Sequence, residues 1–177
     1  MIIKKTKIKD AYILKTKRYR DNRGYFEKQF SSDIFKKKRL NVIWKQINKS
    51  FNEKKYTFRG MHFQKKPFRE SKIVQCIKGK LLDIIFDLRE NSKSFLKTQT
   101  FYLSEKKNEI LYVPDGVAHG YLTLTKNTEV MYFHSNIYDE KSSTGINIMD
   151  KNIRFKFKKK IKKISLRDKK LKFFNEL

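Results

Sequence analysis

The sequence predicts a mainly β protein, an antiparallel sandwich or barrel built as one domain over residues 1–177. Short apolar, β-favouring segments recur roughly every 10–14 residues along most of the chain. Turn formers separate them, among them Lys78-Gly79-Lys80, Asn91-Ser92 and Pro114-Asp115-Gly116. The 177 residues are 38% apolar and 14% aromatic, enough for one core. No internal repeat or Pro/Ser/Gly-rich linker marks a second domain.

Taken in order, Ile2–Ile8 alternates loosely, and Ala11–Leu14 leads into a turn at Asp21-Asn22-Arg23-Gly24. Tyr25–Phe30 then resumes an extended pattern. Ser31-Ser32-Asp33 offers capping side chains for a short helix through about Leu40. Strands are expected at Trp44–Ser50, Thr57–Gln64, Lys72–Lys78, Lys80–Leu88, Gln99–Leu103, Ile110–Val113, Gly120–Leu124 and Glu129–Asn136. The third and fourth of these read as a hairpin turning at Gly79. Ser165-Leu166-Arg167-Asp168 has capping-box spacing and opens a second short helix, through about Phe174.

The charge is +26, from 44 Lys+Arg against 18 Asp+Glu. Clustered cations of this kind can neutralise phosphates, yet the lysines are spread along the chain, and no helix-turn-helix, zinc-finger or RNP-like signature accompanies them. The expectation is no nucleic-acid partner. A lysine-rich solvated surface or attraction of a small anionic substrate accounts for the excess. No apolar run reaches the roughly 18–20 residues of a membrane span, and lysines interrupt the first ten residues where a signal peptide would be apolar. A lone cysteine, Cys76, excludes an intrachain disulfide. A cytoplasmic protein with no membrane partner is expected.

Four segments carry residues suited to chemistry. In Thr57-Phe58-Arg59-Gly60-Met61-His62-Phe63-Gln64, a regular strand would send Arg59 and His62 to opposite faces, whereas a bulge at Gly60 would bring them together. A solvated Arg and a core His is the alternative. The run from Ile110 through Pro114-Asp115-Gly116 to His119-Gly120 has the P-x-G-x-x-H spacing found in double-stranded β-helix proteins, where the His can ligate a metal. A metal site is not expected, since the partner segment offers His62-Phe63-Gln64 instead of His-x-His, and only three histidines exist. Lys72, Asp83 and Asp87 interrupt two otherwise apolar strands, so each needs a partner, a ligand or an edge position. Tyr132 shares a strand face with Val130 and His134 and, taken alone, reads as a core residue. The six glycines, about half the usual share of roughly 7%, all lie beside these or similar polar clusters.

Together the segments resemble the dTDP-4-dehydrorhamnose 3,5-epimerase family over about residues 5–170. The resemblance runs through Asp21-x-Arg23-Gly24-x-Phe26, Gln46-x-Asn48-x-Ser50, Arg59-Gly60-Met61-His62-Phe63-Gln64 and Lys72-x-Val74. It continues through Asp87-x-Arg89-x-x-Ser92, Val113-Pro114-x-Gly116-x-Ala118-His119-Gly120, Tyr132, Tyr138, Gly145-Ile146 and Asp168. It implies a cupin-like jelly roll with short peripheral helices, working without a cofactor as a homodimer on a nucleotide-diphosphate sugar. By the same resemblance His62 is the base, Asp168 its dyad partner, Lys72 the cation at the 4-keto oxygen, and Tyr132 the acid on the opposite face. His119 would hold the sugar and Arg59 the diphosphate. Arg23 would join Arg59, reaching in from a second subunit. Gln46 and Asn48 would contact the nucleotide, Tyr138 would stack on its base, and Arg167 keeps the basic residue before the dyad carboxylate.

Three positions depart from the family pattern: Lys28 where members often carry Glu, Phe133 where Lys is usual, and Ser143 where a nucleotide-side Glu is expected. The reaction type is therefore firmer than the thymidine base. The leading expectation is double epimerisation of dTDP-4-dehydro-6-deoxyglucose. A mono-epimerase on another 4-keto sugar or a heptose, and a non-catalytic β-sandwich binding polyanions, are the alternatives.

Overall fold

The computed structural model describes all 177 residues. Its elements are β1 (Ile2–Lys5), β2 (Tyr12–Lys15), β3 (Arg18–Asp21), β4 (Gly24–Glu27), α1 (Ser32–Lys37), β5 (Gln46–Asn52), β6 (Phe58–Gln64) and β7 (Lys72–Lys78). There follow β8 (Lys80–Asp87), β9 (Thr98–Ser104), β10 (Glu109–Val113), β11 (Val117–Thr123), β12 (Thr128–His134), β13 (Ser143–Gly145) and α2 (Leu166–Lys169). Two antiparallel sheets face each other, in the orders β1-β2-β10-β7-β12-β5 and β13-β6-β11-β8-β9, with β3-β4 as a separate hairpin. This is the mainly β jelly roll that the sequence leads one to expect.

The inner faces enclose one core, including Val74, Cys76, Leu81, Ile85, Leu111, Val117 and Val130. The outer faces are covered as well. Phe35 and Leu40, from α1 and the turn after it, close over Leu14, Ile73, Ile110 and Tyr112 of the first sheet. Ile146, Ile148 and Ile153 close over Phe58, Met61, Ile84, Phe86, Ala118 and Leu122 of the second. Burial on both faces explains why β7 and β8 are nearly continuous apolar runs instead of alternating ones. A polar side chain at an inner position of these strands is therefore surrounded by core.

The expected β7–β8 hairpin does not form. β7 pairs with β10 and β12, and β8 with β9 and β11, so each strand has both edges occupied and none left for the other. Gly79, at φ +82, is instead a corner where the chain passes between sheets. Pro114–Gly116 is a second such corner, between β10 and β11, and the return strand starts at Val117, earlier than the sequence suggests. β3 and β13 were not anticipated: β3 is mostly exposed and β13 is only three residues long. Both helices are shorter than expected, α2 ending at Lys169 with a 3-10 turn over Phe174–Glu176.

Candidate active site

The site opens between the sheets, and β6 makes one wall. His62 stands opposite His119 on β11, and Arg59 opposite Tyr121, with a register shift that leaves Gly60 and Met61 facing Gly120. This bulge places Arg59 and His62 on the same side, lining the same cavity. The close approach requires glycine. A Cβ on Gly60, which has φ +124, would lie 2.5 Å from Gly120 Cα, and one on Gly120 would lie 2.8 Å from Arg59 O.

Asp168 reaches this wall from α2. Its Oδ1 accepts a 2.7 Å hydrogen bond from His62 Nε2, and its Oδ2 accepts from Gly60 N at 3.0 Å. Its own backbone N–H donates to Ser165 Oγ, so the helix cap and the carboxylate–imidazole pair coexist. Burial pushes the Asp168 carboxyl up, but hydrogen bonding and charge from His62 outweigh it and hold the group below the usual range. With Nε2–H committed to Asp168, neutral His62 carries its free lone pair on Nδ1. Behind it, fully buried Asp83 accepts from His119 Nε2 at 2.8 Å, and its second oxygen has no partner. Burial raises the Asp83 carboxyl.

The facing wall comes from the first sheet. Tyr132, Val74 and Asn48 form one cross-strand row, and His134, Lys72 and Gln46 the next, two residues along on the same inner face. Tyr132 Oη lies 3.2 Å from Ser50 Oγ, which lies 2.9 Å from Tyr121 Oη. Burial lifts the Tyr132 phenol well above its ordinary value, so it stays protonated at neutral pH. Lys72 is buried and ion-paired to Glu70 at 3.1 Å.

Two adjoining cavities share Arg59 and His62. One, of about 240 Å³, is also lined by Asn48, Lys72, His119, Tyr132 and His134. The other, of about 430 Å³, adds Lys163, Arg167 and Asp168. Arg167 donates to Ser143 Oγ at 2.8 Å, so the serine at that departing position orients a cation at the cavity rim. Gln46 and Tyr138 lie just outside, joined by a 3.0 Å bond from Tyr138 N to Gln46 Oε1. Arg23 is not brought in. It sits at the tip of the β3–β4 hairpin, 85% exposed and paired with Asp21. Glu27, beside Lys28, is engaged with Arg18 and Thr16 and lines neither cavity.

Glu70 was missed from sequence although a signal existed. A lysine on a buried strand needs a carboxylate, and Glu70 lies two positions before it, with the same parity. Asn52, which accepts from Arg59 Nε at 2.8 Å, carries no comparable mark.

Inverting a carbon needs a base and an acid on opposite sides of it. A jelly roll that presents imidazole from one sheet and phenol from the other has the form of a cupin-like epimerase, an isomerase. Comparison with known proteins narrows this further. The chain belongs to the dTDP-4-dehydrorhamnose 3,5-epimerase family, whose model matches residues 5–176. The Shigella flexneri dTDP-4-dehydrorhamnose 3,5-epimerase is 31% identical over 160 residues, covering 89% of this chain and 87% of that protein. The crystal structure of the Elizabethkingia anophelis NUHP1 enzyme superposes with a TM-score of 0.94 at 31% identity, covering 99% and 97% of the two chains. That of the Bacillus anthracis str. Ames enzyme, with TDP and PPi bound, gives 0.93 at 30% identity, covering 97% and 98%.

Proposed function

We propose that this protein inverts C3 and C5 of a nucleotide-linked 4-keto-6-deoxy sugar, converting dTDP-4-dehydro-6-deoxyglucose to dTDP-4-dehydrorhamnose. The observation that carries this reading is the placement of the His62–Asp168 pair and the Tyr132 phenol on facing walls of one cavity. His62 Nδ1 takes the proton from the carbon next to the ketone, the C–H electron pair forms a C=C bond, and the carbonyl π pair moves onto the 4-keto oxygen to give an enolate. The Lys72 ammonium, with His119, stabilises that oxygen as charge develops. Asp168 orients His62 and stabilises its imidazolium. Tyr132 returns a proton to the opposite face of the carbon, and the enolate collapses to the ketone in inverted configuration.

The diphosphate binds Arg59 on the cationic side of the cavities, near Arg167. Gln46 and Asn48 meet the nucleotide, and Tyr138, 54% exposed, stacks on the base. Arg23 completes the site only in a homodimer, supplied by the hairpin of the second subunit. The exposed Tyr19, Tyr25 and Phe26 of that hairpin favour such an exchange. The +26 charge assists capture of an anionic substrate.

The test incubates the protein in D2O with 4-keto-6-deoxy sugars linked to dTDP, UDP, GDP and CDP, followed by NMR. Deuterium at both C3 and C5 of the dTDP sugar is expected. Deuterium at one carbon would make the protein a mono-epimerase, and exchange with none of the four would overturn the enolate mechanism.

A further inference from the structure

We infer that Glu70 and His134 are positioning residues that lock the sugar-side cation Lys72 and the nucleotide-side amides Asn48 and Gln46 into one hydrogen-bonded unit. The inference rests on the roles just proposed for Lys72 and Asn48.

The bonds run without a gap. Glu70 Oε1 meets Lys72 Nζ at 3.1 Å, and Glu70 Oε2 meets His134 Nδ1 at 2.9 Å. His134 Nε2 lies 3.4 Å from Asn48 Nδ2, Asn48 Oδ1 accepts from Gln46 Nε2 at 3.0 Å, and Gln46 Oε1 accepts from Tyr138 N at 3.0 Å. Every donor and acceptor follows from the two ends. Tyr138 N–H can only donate, which fixes the Gln46 amide. Gln46 then donates to Asn48, which leaves the Asn48 NH2 to donate to His134 Nε2. That nitrogen must be an unprotonated acceptor, so the His134 proton sits on Nδ1 and points at Glu70. The carboxylate ends the chain, and Lys72 donates to it from the other side. A reversed amide anywhere breaks two bonds.

The framework holding the unit is equally specific. His134 pairs across the ladder with Lys72 on one side and Gln46 on the other. The loop carrying Glu70 is clamped to the end of β12, with Ser71 N donating to Ser135 Oγ at 2.8 Å and Ser135 N to Ser71 O at 3.0 Å. The Lys72, Glu70 and His134 side chains are 9%, 8% and 14% exposed, so water competes little for the bonds among these three, while the Asn48 and Gln46 bonds lie at the exposed end of the unit. Burial pushes the Glu70 carboxyl up, yet the bond from His134 and the charge of Lys72 prevail and hold it low, as an acceptor must be.

Two variants and one spectroscopic readout test the unit. His134→Phe keeps the Glu70–Lys72 pair but frees Asn48. It should weaken dTDP binding by calorimetry about tenfold, the worth of one oriented hydrogen bond, and lower kcat less than Glu70→Gln does, because Glu70 loses only its bond to His134. His134→Gln should recover part of the lost affinity. Glu70→Gln removes the charge that holds Lys72 and should lower kcat about 10²-fold as well as weakening dTDP. In the 15N spectrum of the wild-type imidazoles at neutral pH, His134 should be the Nδ1–H tautomer, and Glu70→Gln should shift its signals. An Nε2–H or doubly protonated His134, unchanged dTDP affinity in His134→Phe, or wild-type kcat in Glu70→Gln would each overturn the inference. Absence of turnover by the wild-type protein on every 4-keto sugar would instead defeat the proposed activity, and the tautomer would still be read independently.

Discussion

His62 and Asp168 are separated by 106 positions in the chain and by 2.7 Å between Nε2 and Oδ1 in the fold. The carboxylate is held from three directions: the His62 ring, the Gly60 N–H and the α2 cap through its own backbone. It can therefore fix the imidazole without needing to move.

Asp168→Asn should lower kcat by about 10²–10⁴, the usual range for losing an oriented general base, with little change in KM. It should also change how stability depends on pH. The Asp168 carboxyl is held low in the folded protein because the bond from His62 outweighs burial. The unfolded chain thus takes up this proton first as pH falls. The carboxylate stabilises the fold above the unfolded value of about 3.9, and that contribution is lost as pH drops through the lower folded value. Urea titrations of both proteins should differ most at pH 6–7, and the gap should narrow as pH falls below about 4. A constant gap across that range would rule out the linkage.

Tyr132→Phe separates proton removal from proton return. The phenol makes one bond of 3.2 Å, to Ser50 Oγ, so the variant should lose only about 1 kcal/mol of stability. Turnover should fall about 10²-fold, while solvent deuterium exchange driven by His62 persists. His62→Ala should abolish exchange and turnover together. If Tyr132→Phe lost both in equal measure, the phenol would not be the separate acid.

Gly60→Ala should be among the most damaging single-methyl changes in the chain. The φ of +124 carries strain of about 1–3 kcal/mol for any other residue, and the added Cβ would meet Gly120 Cα at 2.5 Å. Backbone on backbone cannot yield as a side-chain tip can, so overpacking adds about 1–3 kcal/mol. Thermal unfolding should show a loss of roughly 5–15 °C, with weaker activity in the protein that remains folded because Arg59 and His62 no longer share a face. An unchanged melting temperature would mean that the bulge relaxes freely.

How much of this was legible in the sequence depended on whether burial left a pattern. β7 and β8 declare themselves as strands because both faces are apolar, yet that same uniformity hides their partners, and the hairpin reading of Gly79 failed for this reason. β3 and β13 were silent, one exposed and the other three residues long. In the site, Lys72 and Asp83 were visible as polar interruptions of apolar runs, and His62 and His119 through their glycine-flanked motifs. The Asp83–His119 pairing was not, because 36 residues separate the two, and the His62–Asp168 pairing, across 106 residues, was readable only through the family resemblance. The bulge at Gly60 could be anticipated, since parity forbids Arg59 and His62 from sharing a regular strand face. Arg23 marks the limit in the other direction: its motif is readable, but the single chain leaves it in solvent.

Asp83 and Asp87 share a strand and a face, and their environments predict opposite outcomes. Asp87 accepts from Arg89 N at 3.0 Å, Arg89 Nε and Nη2 at 2.9 Å, Ser92 Oγ at 2.7 Å and Ser94 Oγ at 2.6 Å. Burial pushes its carboxyl up, but these bonds prevail and hold it low. It pins the loop after β8 beneath the Pro114–Gly116 corner, where Leu88 N donates to Gly116 O at 3.3 Å. Asp87→Ala should cost about 2–3 kcal/mol, since it removes these charge-assisted bonds while Arg89 keeps its contacts with Asp10 and Lys9 O, and any activity lost should follow the folded fraction. Asp83 has one oxygen on His119 and one on nothing, and burial raises it. An acid raised in the folded state weakens the fold as pH climbs above the unfolded value of about 3.9, where the unfolded chain ionises first, and the loss is complete once pH passes the folded value. Asp83→Asn should therefore leave stability at pH 7 unchanged or slightly higher while lowering kcat through a misplaced His119, the trade expected when a strained polar group serves a site. Denaturant titration of the two variants beside their kcat values decides the matter. Equal destabilisation would make both carboxylates structural, and Asp83 would lose its place in the site.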